Sequence, residues 1–143
     1  MITIKIKKIA NVKTPHYVHK GDSGVDLYSA EDYVLKPMER KLISTGIKIE
    51  IPTGYEAQVR PKSGLAFEHG ISHANSIGTI DSGYRGEIKV PLINFGDQPY
   101  KIEKGKKIAQ MVFAKVEDAV FEEVDELSAT SRNESGFGST GLE

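Results

Sequence analysis

Residues Asn75–Glu87 read N-S-I-G-T-I-D-S-G-Y-R-G-E. Apolar and polar side chains alternate from Ile77 to Ile80, the pattern of a half-buried strand, until Asp81-Ser82-Gly83 interrupts it with a turn cluster. Gly86 then releases the chain into a second alternating run, Glu87 to Phe95. The stretch predicts a β-hairpin that carries one carboxylate, Asp81, and one phenol, Tyr84, beside a tight turn. A turn alone accounts for the cluster, because Asp and Gly are ordinary turn residues. The same arrangement also suits chemistry: a carboxylate there can polarise a water, and Gly78, Gly83 and Gly86 let the backbone close around a small planar ligand.

On both sides of this stretch the chain reads as short strands. Ile2, Ile4 and Ile6 alternate with Thr3, Lys5 and Lys7, and Ile47, Ile49 and Ile51 alternate with Lys48 and Glu50. In S-G-V-D-L-Y-S-A, Ser23 to Ala30, Val25, Leu27 and Ser29 share one face and Asp26 takes the other. Further runs cover Tyr33 to Leu35, Arg40 to Ser44, Tyr55 to Arg60, the region of Ile102, Lys107 to Val116, and Val120 to Val124. The single helical candidate is short, Ser63 to Glu68, stopped by Gly70. Pro91 cannot donate a ladder hydrogen bond, so its strand is expected at an edge, or bulged, at that point. Strands of this length with turn residues about every 8–12 positions predict an all-β sandwich or jelly roll. The expected organisation is one domain over residues 1–124, followed by a polar, flexible arm over 125–143 that lacks apolar periodicity.

Composition narrows the function. A chain of 143 residues suits a single domain with a modest core. The absence of cysteine excludes disulfides, thiolate metal sites and cysteine nucleophiles. With 19 basic and 20 acidic residues the formal charge is −1, so no broad basic field exists to attract long nucleic acid, and any phosphate site must be local. No apolar run approaches membrane-spanning length, and a cytoplasmic protein is expected.

Two segments look suited to phosphate. R-P-K-S-G-L-A, Arg60 to Ala66, sets two cations and a hydroxyl before the short helix, where Ser63 either caps the helix or helps hold an oxyanion. In the arm, S-R-N-E-S-G-F-G-S-T-G, Ser131 to Gly141, combines the donors of Arg132, the hydroxyls of Ser139 and Thr140, and the flat ring of Phe137 among glycines. It contains no Gly-Lys-Ser/Thr and so is not a Walker loop. His69 and His73 are interrupted by Gly70 and read as structural or surface histidines.

Together these segments resemble the trimeric dUTPase family along nearly the whole chain. Its five motifs stand here in order as Ser23–Ala30, Arg60–Ala66, the Asn75–Glu87 stretch, G-K-K-I-A-Q-M-V-F (Gly105–Phe113) and R-N-E-S-G-F-G-S-T-G (Arg132–Gly141). The resemblance implies a jelly-roll homotrimer with active sites at subunit interfaces, converting dUTP to dUMP and pyrophosphate with Mg²⁺. It implies that Asp81 is the base for the water attacking the α-phosphorus and that Tyr84 stacks under the deoxyribose. Asn75 and the backbone up to Asp81, Gly78 and Ile80 included, would read uracil. Lys62, Ser63, Gly64 and Gln110 would lie at the phosphates, with Asp26 organising the basic residue of the second motif. In the arm, Phe137 would stack on the base, Arg132 would reach the γ-phosphate, and Gly138, Ser139 and Thr140 would complete the cage. Mg²⁺ would bind through substrate phosphates and water, with no direct protein ligand.

Two departures stand out. Lys62 replaces the usual arginine, keeping charge but losing the bidentate fork, and Asn133 and Ser135 replace two glycines of the arm, which is expected to close at a different angle. Two rival readings are a dCTP deaminase, whose family resembles dUTPases in fold, and a non-catalytic jelly-roll binding module. The deaminase needs a catalytic glutamate on the strand after the hairpin, where Pro91 stands here.

Overall fold

The structure is a computed structural model that describes residues 1–136 and Ser139. Its strands are β1 (Lys5–Lys8), β2 (Val25–Tyr28), β3 (Tyr33–Leu35), β4 (Arg40–Ser44), β5 (Ile47–Glu50), β6 (Tyr55–Arg60), β7 (Ile71–His73), β8 (Gly78–Ile80), β9 (Lys89–Asn94), β10 (Tyr100–Ile102) and β11 (Lys107–Lys115). Among the described residues one helix, α1 (Ser63–His69), sits between β6 and β7. The strands form four small antiparallel sheets: β2-β11-β6-β8, β4-β9-β7, β1-β5 and β3-β10. Their inner faces converge on one apolar core that includes Leu27, Leu35, Ile43, Ile47, Ile71, Ile88, Leu92 and Ile102. This is the expected jelly-roll sandwich, and the alternation explains it directly. Ile47 and Ile49 point inward from β5 while Lys48 and Glu50 stay half-buried, and Val25 and Leu27 flank an outward Asp26.

Polar groups taken into the core are tied to backbone. Asn94 donates to the carbonyls of Leu35 (2.9 Å) and Gln98 (2.8 Å) and accepts from the Gly96 amide (2.8 Å). Thr45 donates to the Ile88 carbonyl, and Ser29 to that of Glu31. Each bond satisfies a group whose burial would otherwise oppose folding.

Four expectations need correction. Asn75–Glu87 is not a two-stranded ladder: β8 pairs with β6, whereas the following strand, β9, pairs with β4 and β7. The segment is therefore a crossover between two sheets, drawn apart because each end finds a longer partner elsewhere. Nor is Pro91 on an edge strand, since β9 is the centre of its sheet. Its carbonyl accepts from the Ala74 amide at 2.8 Å, so its missing N–H faces the point where β7 has just ended, and no ladder bond is lost. The first strand starts at Lys5, later than the Ile2–Ile6 alternation predicts. No strand forms over Val120 to Val124 either, and Val120 and Phe121 are each 96% exposed. An apolar alternation specifies a strand only where a neighbouring edge exists to pair with it.

Gly70 joins α1 to the sheet that carries the crossover. It terminates the helix in the left-handed region (φ 69°), its amide bonds to the Ala66 carbonyl, and its own carbonyl accepts from the Phe95 amide at 2.8 Å. A Cβ at this position would lie 2.5 Å from the Gly96 nitrogen. Gly70→Ala should therefore lower stability by about 2 kcal/mol or more, through left-handed strain plus the clash. Denaturant unfolding checks this, and an alanine variant as stable as the parent would contradict the packing described.

Candidate active site

The crossover lines a cleft of about 660 Å³. One wall is a turn in which the Ser76 amide donates to the His73 carbonyl (3.1 Å) with Ser76 at φ 61°, presenting Asn75 at the tip. The Asn75 amide nitrogen packs so close to Gly78 that a Cβ there would approach it to 3.3 Å. Ile80 and Asp81 continue the wall. A second turn follows, closed by the Tyr84 amide on the Asp81 carbonyl at 3.0 Å. Asp81 is exposed at this turn, and among the described residues no donor occupies its carboxylate. Tyr84 lies across Gly86, where an added Cβ would fall 2.2 Å from the phenol oxygen, and its hydroxyl donates to the Glu87 carbonyl at 2.9 Å. Gly86 is thus the only kind of residue that lets the ring lie flat on the backbone.

Glu87, to which the sequence reading gives no role, anchors the return of the crossover. Its carboxylate accepts from the Gly46 amide (3.0 Å) and the Ser44 hydroxyl, with Lys89 at 3.8 Å. β9 offers Lys89 and Pro91 to the cleft, and Pro91 carries no group able to move a proton.

A second polar cluster lies elsewhere. Gln110 stands opposite Asp26 on one side and Arg60 on the other, in a row across the outer face of the four-stranded sheet. The Asp26 side chain is only 12% exposed; Lys62 donates to one carboxylate oxygen (2.6 Å) and Lys107 to the other (2.7 Å). Burial raises the Asp26 pKa, but the hydrogen bonds and charges of Lys107 and Lys62 outweigh it and hold the carboxyl below its ordinary 3.8. The same contact raises Lys107. Two lysines thereby do what one arginine fork would do, which answers the expected loss of geometry at Lys62. Sequence does not single out Lys107, because nothing in G-K-K-I distinguishes it from its neighbour. Gln110 donates to the Pro61 carbonyl at 3.0 Å and so props the turn into α1. Ser63 is the first residue of α1 and makes no capping bond, the N-cap being Lys62; Ser63 and Gly64 are exposed.

Asp26 and Gln110 stand on β2 and β11, whereas the cleft is lined from β8 and the crossover. β2 and β8 are the outer strands of their sheet, three strand spacings or about 14 Å apart. In the arm, Arg132 donates to the Ser135 carbonyl at 2.9 Å, and Ser139 is exposed. Phe137, Gly138 and Thr140 lie outside the described residues. His69 stacks on Tyr100 (4.9 Å between centroids), whereas His73 is buried in β7 against the cleft. No helix among the described residues is long and apolar enough to cross a membrane.

Fold and site together define a jelly-roll protein that offers a small planar ligand a glycine-walled cleft with an unengaged carboxylate, and offers anions a separate lysine-bearing ledge. The family model described as dUTPase matches residues 10–141. The chain is 60% identical over 127 residues to the deoxyuridine 5'-triphosphate nucleotidohydrolase of Clostridium kluyveri, covering 89% of each. It superposes on the dUTPase of Staphylococcus bacteriophage 80alpha with dUPNHPP at a TM-score of 0.93 and 29% identity, covering 99% of this chain and 100% of that one. A mutant dUTPase from phage phi11 of S. aureus, whose structure concerns the coordination of a structural Mg(II) ion, shares the fold at a TM-score of 0.83 and 24% identity, over 90% of this chain and all (100%) of that one. This chain belongs to the dUTPase family.

The Asp26 contacts carry a sign that can be measured. With its folded pKa lowered, the unfolded chain holds the extra proton between that value and 3.8, so stability rises with pH across this window and is complete above it. Asp26→Asn should cost about 1–2 kcal/mol at neutral pH, discounted for the exposure of Lys107, and should flatten the acid limb of the stability curve. Urea unfolding at neutral and acid pH checks both, and an unchanged acid limb would remove Asp26 from the account.

Proposed function

We infer that this protein hydrolyses dUTP to dUMP and pyrophosphate, keeping uracil out of DNA and supplying dUMP for thymidylate synthesis. The observation that carries this is the exposed, unengaged Asp81 carboxylate at the turn of the glycine-walled cleft. A water held by Asp81 attacks the α-phosphorus and gives its proton to the carboxylate, while the bond from the α-phosphorus to the bridging oxygen breaks and pyrophosphate leaves. Asn75 and the backbone through Gly78 and Ile80 read the base. Uracil pairs an N3–H donor with the O4 acceptor, cytosine reverses both, and fixed backbone groups left unpaired disfavour cytosine. The close wall leaves no space for the 5-methyl of thymine. The Tyr84 ring, flat over Gly86, stacks under the deoxyribose and excludes a 2′-hydroxyl.

Lys62, Ser63, Gly64 and Gln110 serve the phosphates, with Asp26 holding Lys62 in place. Because these groups stand apart from the cleft on one chain, they complete the site of a neighbouring subunit in a closed homotrimer. Arg132, Phe137, Gly138, Ser139 and Thr140, on an arm beyond the core of residues 1–124, close over the bound nucleotide. Mg²⁺ ordinarily keeps waters and binds substrate phosphates, and here it is carried by the triphosphate. When bound it neutralises the triphosphate and aligns it for in-line attack. The enzyme works in the cytoplasm, where its nucleotide substrate is found.

Incubation with dUTP and Mg²⁺ should release pyrophosphate, with dCTP giving neither pyrophosphate nor ammonia at a comparable rate. Asp81→Asn keeps the size and one hydrogen bond of the carboxylate but cannot accept the proton. It should abolish turnover, by a factor of about 10² or more in kcat, with dUTP affinity near that of the parent. Turnover close to the parent's would mean that Asp81 is not the base.

A further inference from the structure

Four polar residues are buried among the described residues: Ser29, Thr45, Asn94 and His73. The first three are hydrogen-bonded to backbone. His73 is not. It is 4% exposed, and among the described residues neither ring nitrogen has a partner. The Val59 backbone leans toward the ring without reaching hydrogen-bond geometry. His73 also lines the cleft, and its carbonyl receives the Ser76 amide that closes the turn presenting Asn75. Of the four, the residue that opens the reading turn is therefore the one whose side chain is left without a bond among the described residues. An apolar residue of β-strand type would fill this place with no such cost.

We propose that His73 is a positioning residue that couples the Asn75 turn to pH: the turn keeps its ligand-reading shape only while the imidazole stays neutral and buried. This rests on the dUTP hydrolysis inferred here for what the turn reads. An imidazolium at this place finds only the Val59 backbone, outside hydrogen-bond geometry, and its ring nitrogens are shut off from solvent, so the proposed uptake of a proton swings the ring out of the wall. The proposed coupling runs through the residue's own backbone carbonyl, which holds the Ser76 amide at 3.1 Å in the closed turn. Burial lowers the pKa from the ordinary 6.5, and the Val59 backbone only partly opposes this, consistent with a ring held neutral in the closed turn.

The charged groups around the ring are of both signs. Asp81, Tyr84 and Glu87 of the crossover, Lys89 of β9 and Lys48 of β5 share the cleft with it. Glu87 is engaged by Gly46 and Ser44, and the two lysines oppose a positive ring. From β6 the neighbour is Val59, from β9 the ladder partner is Leu92, and α1 ends in His69, whose ring lies on Tyr100.

The test separates binding from turnover. The parent, His73→Val and His73→Gln are compared for kcat and KM on dUTP between about pH 5 and pH 8. In the parent, KM should rise as the pH falls below the point where the ring protonates, by up to about tenfold per pH unit. Both variants should lose that rise, because neither side chain ionises, while the pH profile of kcat stays as in the parent. A parent KM flat with pH, or variants that keep its acid rise, would overturn the proposal. A second measurement needs neither variants nor turnover: proton NMR of the free enzyme, following the His73 ring and the Asn75 backbone amide. Both should move with one midpoint below 6.5; an Asn75 amide indifferent to His73 protonation would sink the coupling. A parent that releases no pyrophosphate from dUTP at any pH would instead refute the hydrolase reading, with the NMR result still deciding the role of His73.

Discussion

The hydrogen bonds that Glu87 accepts from Gly46 and Ser44, beside that of the Ile88 amide to the Ile47 carbonyl, hold the return of the cleft-lining crossover in place. They fasten one end of the Asn75–Glu87 crossover to the β4–β5 turn, while the β8 ladder fastens the other end to β6. Held at two different sheets, the backbone between must stand away from the core, and the space beneath it is the cleft. The glycines then set its width. Gly78 leaves room for the Asn75 side-chain amide and Gly86 for the Tyr84 ring, whose hydroxyl is also tied to the Glu87 carbonyl. Asp81, at the turn between them, is left exposed and unengaged among the described residues.

The charges are arranged by the opposite logic. Asp26 is taken nearly out of solvent and spends both oxygens on lysines, fixing two cations on the outer face of a sheet whose far strand carries the cleft. Within a single chain the two cations and the cleft thus lie toward different strands of that sheet. In the proposed trimer this separation becomes useful, because each copy supplies the part its neighbour lacks. The apolar residues Val120 and Phe121 lie in a segment that alternates like a strand but are fully exposed, with no strand pairing them among the described residues.

Much of this is legible in the sequence because period-two alternation maps directly onto a face. Ile47 and Ile49, or Val25 and Leu27 around Asp26, can be assigned to the core from spacing alone. Placement of Asn75, Gly78, Ile80, Asp81 and Tyr84 in one cleft is readable too, since they lie within a single stretch. What spacing cannot give is which strand pairs with which. Adjacent alternating runs usually pair, so spacing makes the crossover a hairpin, and only the sheet order shows that the two runs part. Spacing likewise puts Pro91 at an edge, because sequence does not say where a neighbouring strand stops. Lys107 and Glu87 owe their roles to partners distant in sequence, Asp26 and Ser44, and leave no local signal. His73 reads as structural, and nothing in its neighbours' identities announces that its ring is buried without a bond.

The central claim is that the cleft of one chain works only with the arm of another. It is tested most directly by mixing two chains, one Asp81→Asn with an intact arm, the other ending after Thr130 with an intact Asp81. The β11 ladder ends at Lys115, so the shortened chain keeps every strand described. Neither form alone should turn over dUTP. In trimers assembled at random from equal amounts, about a quarter of the sites should combine an intact cleft with an intact arm and recover activity. Mixed trimers as inactive as either parent would mean that cleft and arm belong to the same chain, and the shared-site account would be wrong.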